Sequence, residues 1–345
     1  MKNLPLIIQT EINGYQFYMF PYTIIRTFPE YENYLMENYM QCFGYVDDDF
    51  KHMAFGYEDG VSYNDMFYTS GPLELAFYSY EIGIQIDIRQ YIIFSIENNA
   101  YISIMVDEYY VEGRPAYQKH HLLHDILIWG YDDKKFNYLA FDGSQSLSLL
   151  SFPQNQIVDA YKYGYSMFTN LPETLKSKWI NERSIISMKL KNSQKKYDFN
   201  NERFIAKLEL YLKGKFNELY SSFVITQEKC HIGIYNTNLI KYCMENPCNG
   251  IITYPSIHAW HESKRNLLNK LKYFYDKNNI KNIELVLNYE DNIVKKANLV
   301  RMAFLKNTMG KKSDENETLS ELDDLFNSEK YILENIFHFV SKTSF

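Results

Sequence analysis

Residues 117–142 constrain the fold more than any other stretch of this chain. The apolar run Leu122-Leu123-His124-Asp125-Ile126-Leu127-Ile128-Trp129-Gly130 meets a polar tip, Asp132-Asp133-Lys134, and Phe136-Asn137-Tyr138-Leu139-Ala140-Phe141 returns. Two β-prone runs flanking a short polar cluster read as a β-hairpin. A tip centred on Asp133 sets His124 directly opposite Asp142. Opposed residues in an antiparallel pair share a face, with Cβ atoms about 4.5–5.5 Å apart. At that spacing a carboxylate fixes the tautomer of an imidazole and stabilises its protonated form. His124 and Asp142 therefore read as a catalytic dyad, with a purely structural hydrogen bond as the alternative.

Composition narrows the class. The 345 residues suffice for two domains with real cores, and the 46% apolar content is that of a globular protein. The net charge of −7 repels phosphate backbones, and no block of Lys and Arg makes a local exception, so no nucleic acid partner is expected. No apolar run approaches the ~18–20 residues needed to span a bilayer, so no membrane association is expected. Pro5 interrupts an N-terminal apolar segment already too short for a signal peptide, which points to a cytoplasmic protein. Four cysteines, Cys42, Cys230, Cys243 and Cys248, are too few and too irregular for a disulfide framework or a common zinc spacing. They read as reduced thiols, and no metal site is expected.

Periodicity predicts an α+β first half and a mainly helical second half. Tyr18, Tyr22 and Ile25, then Leu35, Tyr39 and Phe43, suit two helices broken at Pro29. Short strands and turns are expected over 50–70, a helix over 79–90, and strands at 91–96 and 101–107. After the hairpin come a strand at 145–152 and an amphipathic helix at 154–163. Beyond a strand-like run at 184–190, helical spacing recurs at 202–219, 264–275, 297–305 and 319–340, with a charged loop at 309–317. The expected domains are 1–170 and 171–345.

The run Val106-Asp107-Glu108-Tyr109-Tyr110, Arg114-Pro115-Ala116-Tyr117, His124 to Asp132 and Phe141-Asp142 resembles the butirosin-biosynthesis H-like family. These are papain-fold cysteine-protease homologues of nonribosomal peptide and natural-product clusters. Gly233-Ile234-Tyr235, His258-Ala259-Trp260-His261-Glu262-Ser263-Lys264 and Leu271-Lys272-Tyr273 extend the likeness through the second half. The resemblance implies a papain-like cysteine-protease fold with an antiparallel sheet, plus a mainly helical second domain. It implies acyl transfer or amide formation on an acyl or peptidyl thioester, held on the phosphopantetheine arm of a carrier protein, with an amine as acceptor. No cofactor of the protein's own is implied, and the oligomeric state is left open. His124 matches the family's catalytic histidine and Asp142 its orienting acid.

The family's nucleophile is a cysteine at the N-terminus of the first long helix, where the helix dipole favours thiolate. Here that region reads Asn13-Gly14-Tyr15-Gln16-Phe17-Tyr18-Met19-Phe20, without cysteine, serine or threonine. Gln16, Phe17 and Tyr18 are the candidates for the vacated place, Phe17 first among them, and are expected to line the substrate cleft. Three readings follow. His124 acts as general base in acyl transfer without a covalent intermediate; or the chain is a degenerate homologue that binds a carrier-bound intermediate or a partner enzyme; or Cys42 is the nucleophile. The last is disfavoured, because Cys42 falls near the end of the second predicted helix, where the dipole opposes a thiolate.

Overall fold

A computed structural model describes residues 1–8, 11–46, 52–57, 71–142, 146–171, 181, 183–191, 197–215, 230–248, 250–310 and 314–343. In chain order the strands are β1 (Lys2–Asn3), β2 (Cys42–Val46), β3 (Met53–Tyr57), β4 (Leu73–Tyr78), β5 (Ala100–Asp107), β6 (Leu123–Tyr131), β7 (Lys135–Phe141), β8 (Leu147–Pro153), β9 (Ile185–Leu190) and β10 (Cys230–Ile232). The helices are α1 (Gln16–Arg26), α2 (Glu32–Glu37), α3 (Tyr80–Gly83), α4 (Ile88–Glu97), α5 (Gln156–Thr169), α6 (Asn201–Lys213), α7 (Asn236–Glu245), α8 (Tyr254–Lys277), α9 (Glu284–Tyr289), α10 (Lys295–Thr308) and α11 (Glu315–Lys342). The class is α+β with antiparallel sheets, as the sequence pattern predicts.

The hairpin forms as β6 and β7. Asp132 builds its tip, accepting the amides of Lys134 and Lys135 on Oδ1 at 2.8 and 2.7 Å. An aspartate that bonds the backbone two and three residues on makes the chain turn there. Leu127 opposite Leu139 and Ile128 opposite Tyr138 give the register centred on Asp133. Between Ile128 and Gly130 the register shifts by one residue, so Gly130 faces Asn137 and Tyr131 faces Phe136. Such a bulge adds an unpaired residue and increases local twist.

The chain divides into two compact units with interleaved sequence. The first comprises Met1–Gln9, Phe20–Pro29 and Tyr63–Lys195, the second Thr10–Met19, Glu30–Ser62 and Lys196–Phe345. Strand β9, which inserts between β4 and β5, belongs to the first unit. The first unit's sheet has the order β4-β9-β5-β6-β7-β8, with β1 paired to β6 at Gly130 and Tyr131. Its central strand β5 is buried on both faces (Tyr101, Ile102, Ile104, Val106) and is packed by α4 and α5.

Several local expectations fail, among them that of a continuous helix over 79–90, which is broken between Gly83 and Ile88. The run 91–96, rich in β-branched residues, is helix α4 and not a strand. Asp87 caps it by accepting the Gln90 amide at 3.1 Å, and Ile88, Ile92 and Ile96 repeat every four residues on its buried face. Cys42 opens strand β2 instead of closing a helix, since α2 stops at Glu37 and Tyr39 takes a left-handed φ of 59°.

In the second unit β10-β2-β3 form a small antiparallel sheet, and the other regular elements among the described residues are helices. Helix α8 runs through it, burying Ile257, Trp260, Leu267, Leu271 and Phe274. Thr253 and Ser256 cap α8 reciprocally, with Pro255 in its first turn. The charged loop expected to end near Glu317 instead yields to α11 at Glu315, where Asp314 accepts the amides of Asn316 and Glu317. Residues 216–219 of the predicted helix and 58–70 lie outside the described residues. Among the described residues, no helix is long and apolar enough to cross a membrane.

Candidate functional site

His124 lies at the start of β6, paired with Val106 near the end of β5. Directly after β5 the chain makes a short 3-10 turn, Glu108–Tyr110, tied to the strand pair by Glu108 N donating to Leu122 O at 2.8 Å. That turn presents the Glu108 carboxylate to the His124 ring, with Oε1 2.9 Å from Nδ1. Arg114, from the loop after the turn, donates to the same oxygen through Nε at 2.9 Å and through Nη2. Its Nη1 donates to Phe141 O, which ties this loop to the end of β7.

The Glu108 and Arg114 side chains are both 1% exposed, whereas the His124 side chain is 42% exposed. A buried ion pair thus lies against a half-exposed ring. Burial pushes the Glu108 carboxyl up, but the His124 hydrogen bond and the Arg114 charge outweigh it and hold the group below its ordinary range.

The ring nitrogen has two suitors. Nδ1 lies 2.9 Å from Glu108 Oε1 and 2.6 Å from Arg114 Nη2. A protonated Nδ1 donates to Glu108 and leaves the lone pair on Nε2. A bare Nδ1 accepts from Arg114 and places the proton on Nε2. Only the first state is a base at Nε2, so Glu108 sets the competent tautomer and Arg114 competes with it.

The carboxylate that reaches His124 is therefore that of Glu108, and not that of Asp142. The register points Asp142 toward the expected position, but β7 ends at Phe141 and the Asp142 side chain turns to the next strand. Its Oδ1 accepts the Ser146 amide at 3.1 Å and its Oδ2 accepts Ser148 Oγ at 2.7 Å, fixing the entry into β8. Glu108 and Arg114 escaped the sequence reading, because the hairpin alone does not specify that β5 is the neighbour of β6. Their presence in the motif Asp107-Glu108 with Arg114-Pro115 was the available signal.

Gln16 and Tyr18 lie in the first turn of α1, within the second unit, and are buried at 6% and 3% exposure. Burial drives the Tyr18 phenol far above its ordinary range, so it supplies no nucleophile. Phe17 belongs to the same turn, and its side chain lies outside the described residues. Ahead of α1, the amides of Asn13 and Gly14 donate to the Glu262 carboxylate of α8 at 2.7–3.0 Å. Gly14 is required there, since a Cβ would lie 2.7 Å from that of Ala259.

The cysteines offer no replacement in the interior. Burial pushes the Cys42 thiol up to about 12, and those of Cys230 and Cys243 up to about 11. Among the described residues no group of three His, Cys, Asp or Glu side chains is arranged to hold a metal ion. The chain matches no protein-family model and no curated protein.

Proposed function

We propose that this protein is a papain-like acyltransferase of natural-product biosynthesis that works without a covalent acyl-enzyme. Its substrate is an acyl or peptidyl thioester on the phosphopantetheine arm of a carrier protein, and its acceptor is an amine. One observation carries the proposal: a half-exposed imidazole, His124, is anchored at one nitrogen by a buried, charge-compensated carboxylate, Glu108. That is the construction of a general base.

In the proposed step the amine nitrogen bonds to the thioester carbonyl carbon while His124 Nε2 removes its proton. The carbon–sulfur bond then breaks, its electron pair leaves on the phosphopantetheine thiolate, and the imidazolium returns the proton to that sulfur. A thioester is already activated, so positioning and base catalysis suffice where an amide would demand a nucleophile.

A second reading, a binding module that retains a carrier-bound intermediate without turnover, is favoured by the buried first turn of α1 and its lack of a nucleophile. Incubation with an acyl-carrier thioester and an amine separates the two. The catalytic reading requires amide product, loss of it in His124→Ala, and no acyl adduct on the protein by intact mass. Carrier binding without product in either protein would establish the binding module instead.

A further inference from the structure

We infer that His121 and Asp107 form a second general base, distinct from His124, acting on activated acyl esters that carry a flat, uncharged group. Asp107 is fully buried at the end of β5. Its Oδ1 accepts the amides of Tyr109 at 3.1 Å and Leu122 at 3.2 Å, and its Oδ2 lies 2.6 Å from His121 Nδ1. With Oδ1 taken by two backbone donors, the carboxylate is pinned and Oδ2 is presented to the ring. An ionised carboxylate only accepts, so Nδ1 carries the proton and the lone pair resides on Nε2.

His121 lacks the ambiguity of His124. The nitrogen that meets Asp107 has no guanidinium beside it, whereas His124 Nδ1 is shared between Glu108 and Arg114. The ring is also held flat. It stacks on Tyr109 with centroids 4.6 Å apart and planes 27° apart, while the side chain remains 52% exposed. Tyr109 meets Tyr110 edge to face, and Tyr110 stacks on Tyr163, itself 49% exposed. An oriented base thus stands beside an aromatic ledge, and such a ledge favours planar, apolar groups through stacking.

The chemistry balances without a further reagent. Water bonds through oxygen to the acyl carbon as His121 Nε2 takes its proton. The carbon–oxygen bond of the ester breaks with its electron pair on the departing phenolate, and the imidazolium releases its proton to solvent. Asp107 is a positioning residue, stabilising the imidazolium and fixing the tautomer. The proposal does not rest on the carrier-thioester function, which is assigned to His124.

Two measurements on the full chain test it. Two-bond proton–nitrogen correlation spectra report the His121 tautomer. The proton is expected on Nδ1 in the wild type, and it should move to Nε2 in Asp107→Asn, whose amide donates toward the ring. Hydrolysis of p-nitrophenyl acetate should fall about 10-fold in His121→Gln and stay at the wild-type rate in His120→Gln, a change at the exposed neighbouring imidazole. A wild-type Nε2 proton, or His121→Gln hydrolysing at the wild-type rate, would overturn the inference, and both hold even if Asp107→Asn does not fold. Carrier-thioester turnover lost in His124→Ala leaves this outcome untouched, so the two proposals fail separately.

Discussion

Glu108 concentrates the electrostatics of the first unit on one oxygen. Its Oε1 meets two nitrogens of Arg114 and one of His124, while both members of the ion pair are sealed from solvent. Removing one partner of a buried pair leaves the other charge uncompensated, at a cost of ~3–5 kcal/mol. Glu108→Gln is expected to lose that much unfolding free energy in urea, whereas His124→Gln, half-exposed, loses little. A different residue also contributes to acid stability. His261 of α8 is buried, and burial together with the charges of Arg301 and Arg265 pushes its imidazole down to about 3. The unfolded chain therefore takes up the proton first, near pH 6.5. The stability that neutral His261 allows is fully present above that pH and falls as the pH drops toward 3, by ~1.4 kcal/mol per unit. Urea titrations from pH 7 to 4 should show this slope, flattened in His261→Gln.

At the scale of elements, the hairpin was legible and its surroundings were not. Two apolar, β-prone runs, a polar tip and the Asp132 turn specify β6 and β7, and the register at Leu127–Leu139 follows from them. The bulge at Trp129 does not, because it answers to β1: Asn3 pairs with Gly130, and Leu4 N donates to Trp129 O. A Cβ on Gly130 would lie 2.0 Å from Asn3 Oδ1 and 3.0 Å from Asn3 Cα. Gly130→Ala should therefore detach β1, read as fast amide exchange at Asn3 and Leu4 with β6–β7 protection retained. Helix α4 shows the opposite lesson. Its β-branched run suggested a strand, yet Asp87 as cap and the four-residue repeat of Ile88, Ile92 and Ile96 carried the helical signal in the sequence itself. The orienting acid was illegible for a stronger reason. Glu108 meets His124 only because β5 pairs with β6, a contact between residues 16 positions apart whose register no local pattern states.

For the whole molecule, the two units exchange sequence, so a cut in the chain is not a cut in the fold. The segment 1–170 lacks β9, which supplies both the partner of β4 and the outer neighbour of β5. Expressed alone it should show no cooperative thermal transition, whereas extension through Lys195 restores the sheet order but leaves Thr10–Met19 and Glu30–Ser62 without the remainder of their unit, Lys196–Phe345. The chemistry assigned to the first unit needs neither a cysteine nor Asp142. The initial rate of aminolysis of an acyl-carrier thioester, compared across the wild type, His124→Gln and Asp142→Asn, tests this most directly. A loss of about 100-fold or more in His124→Gln, with Asp142→Asn at the wild-type rate, is the predicted result. Equal loss in Asp142→Asn, or full activity in His124→Gln, would contradict it.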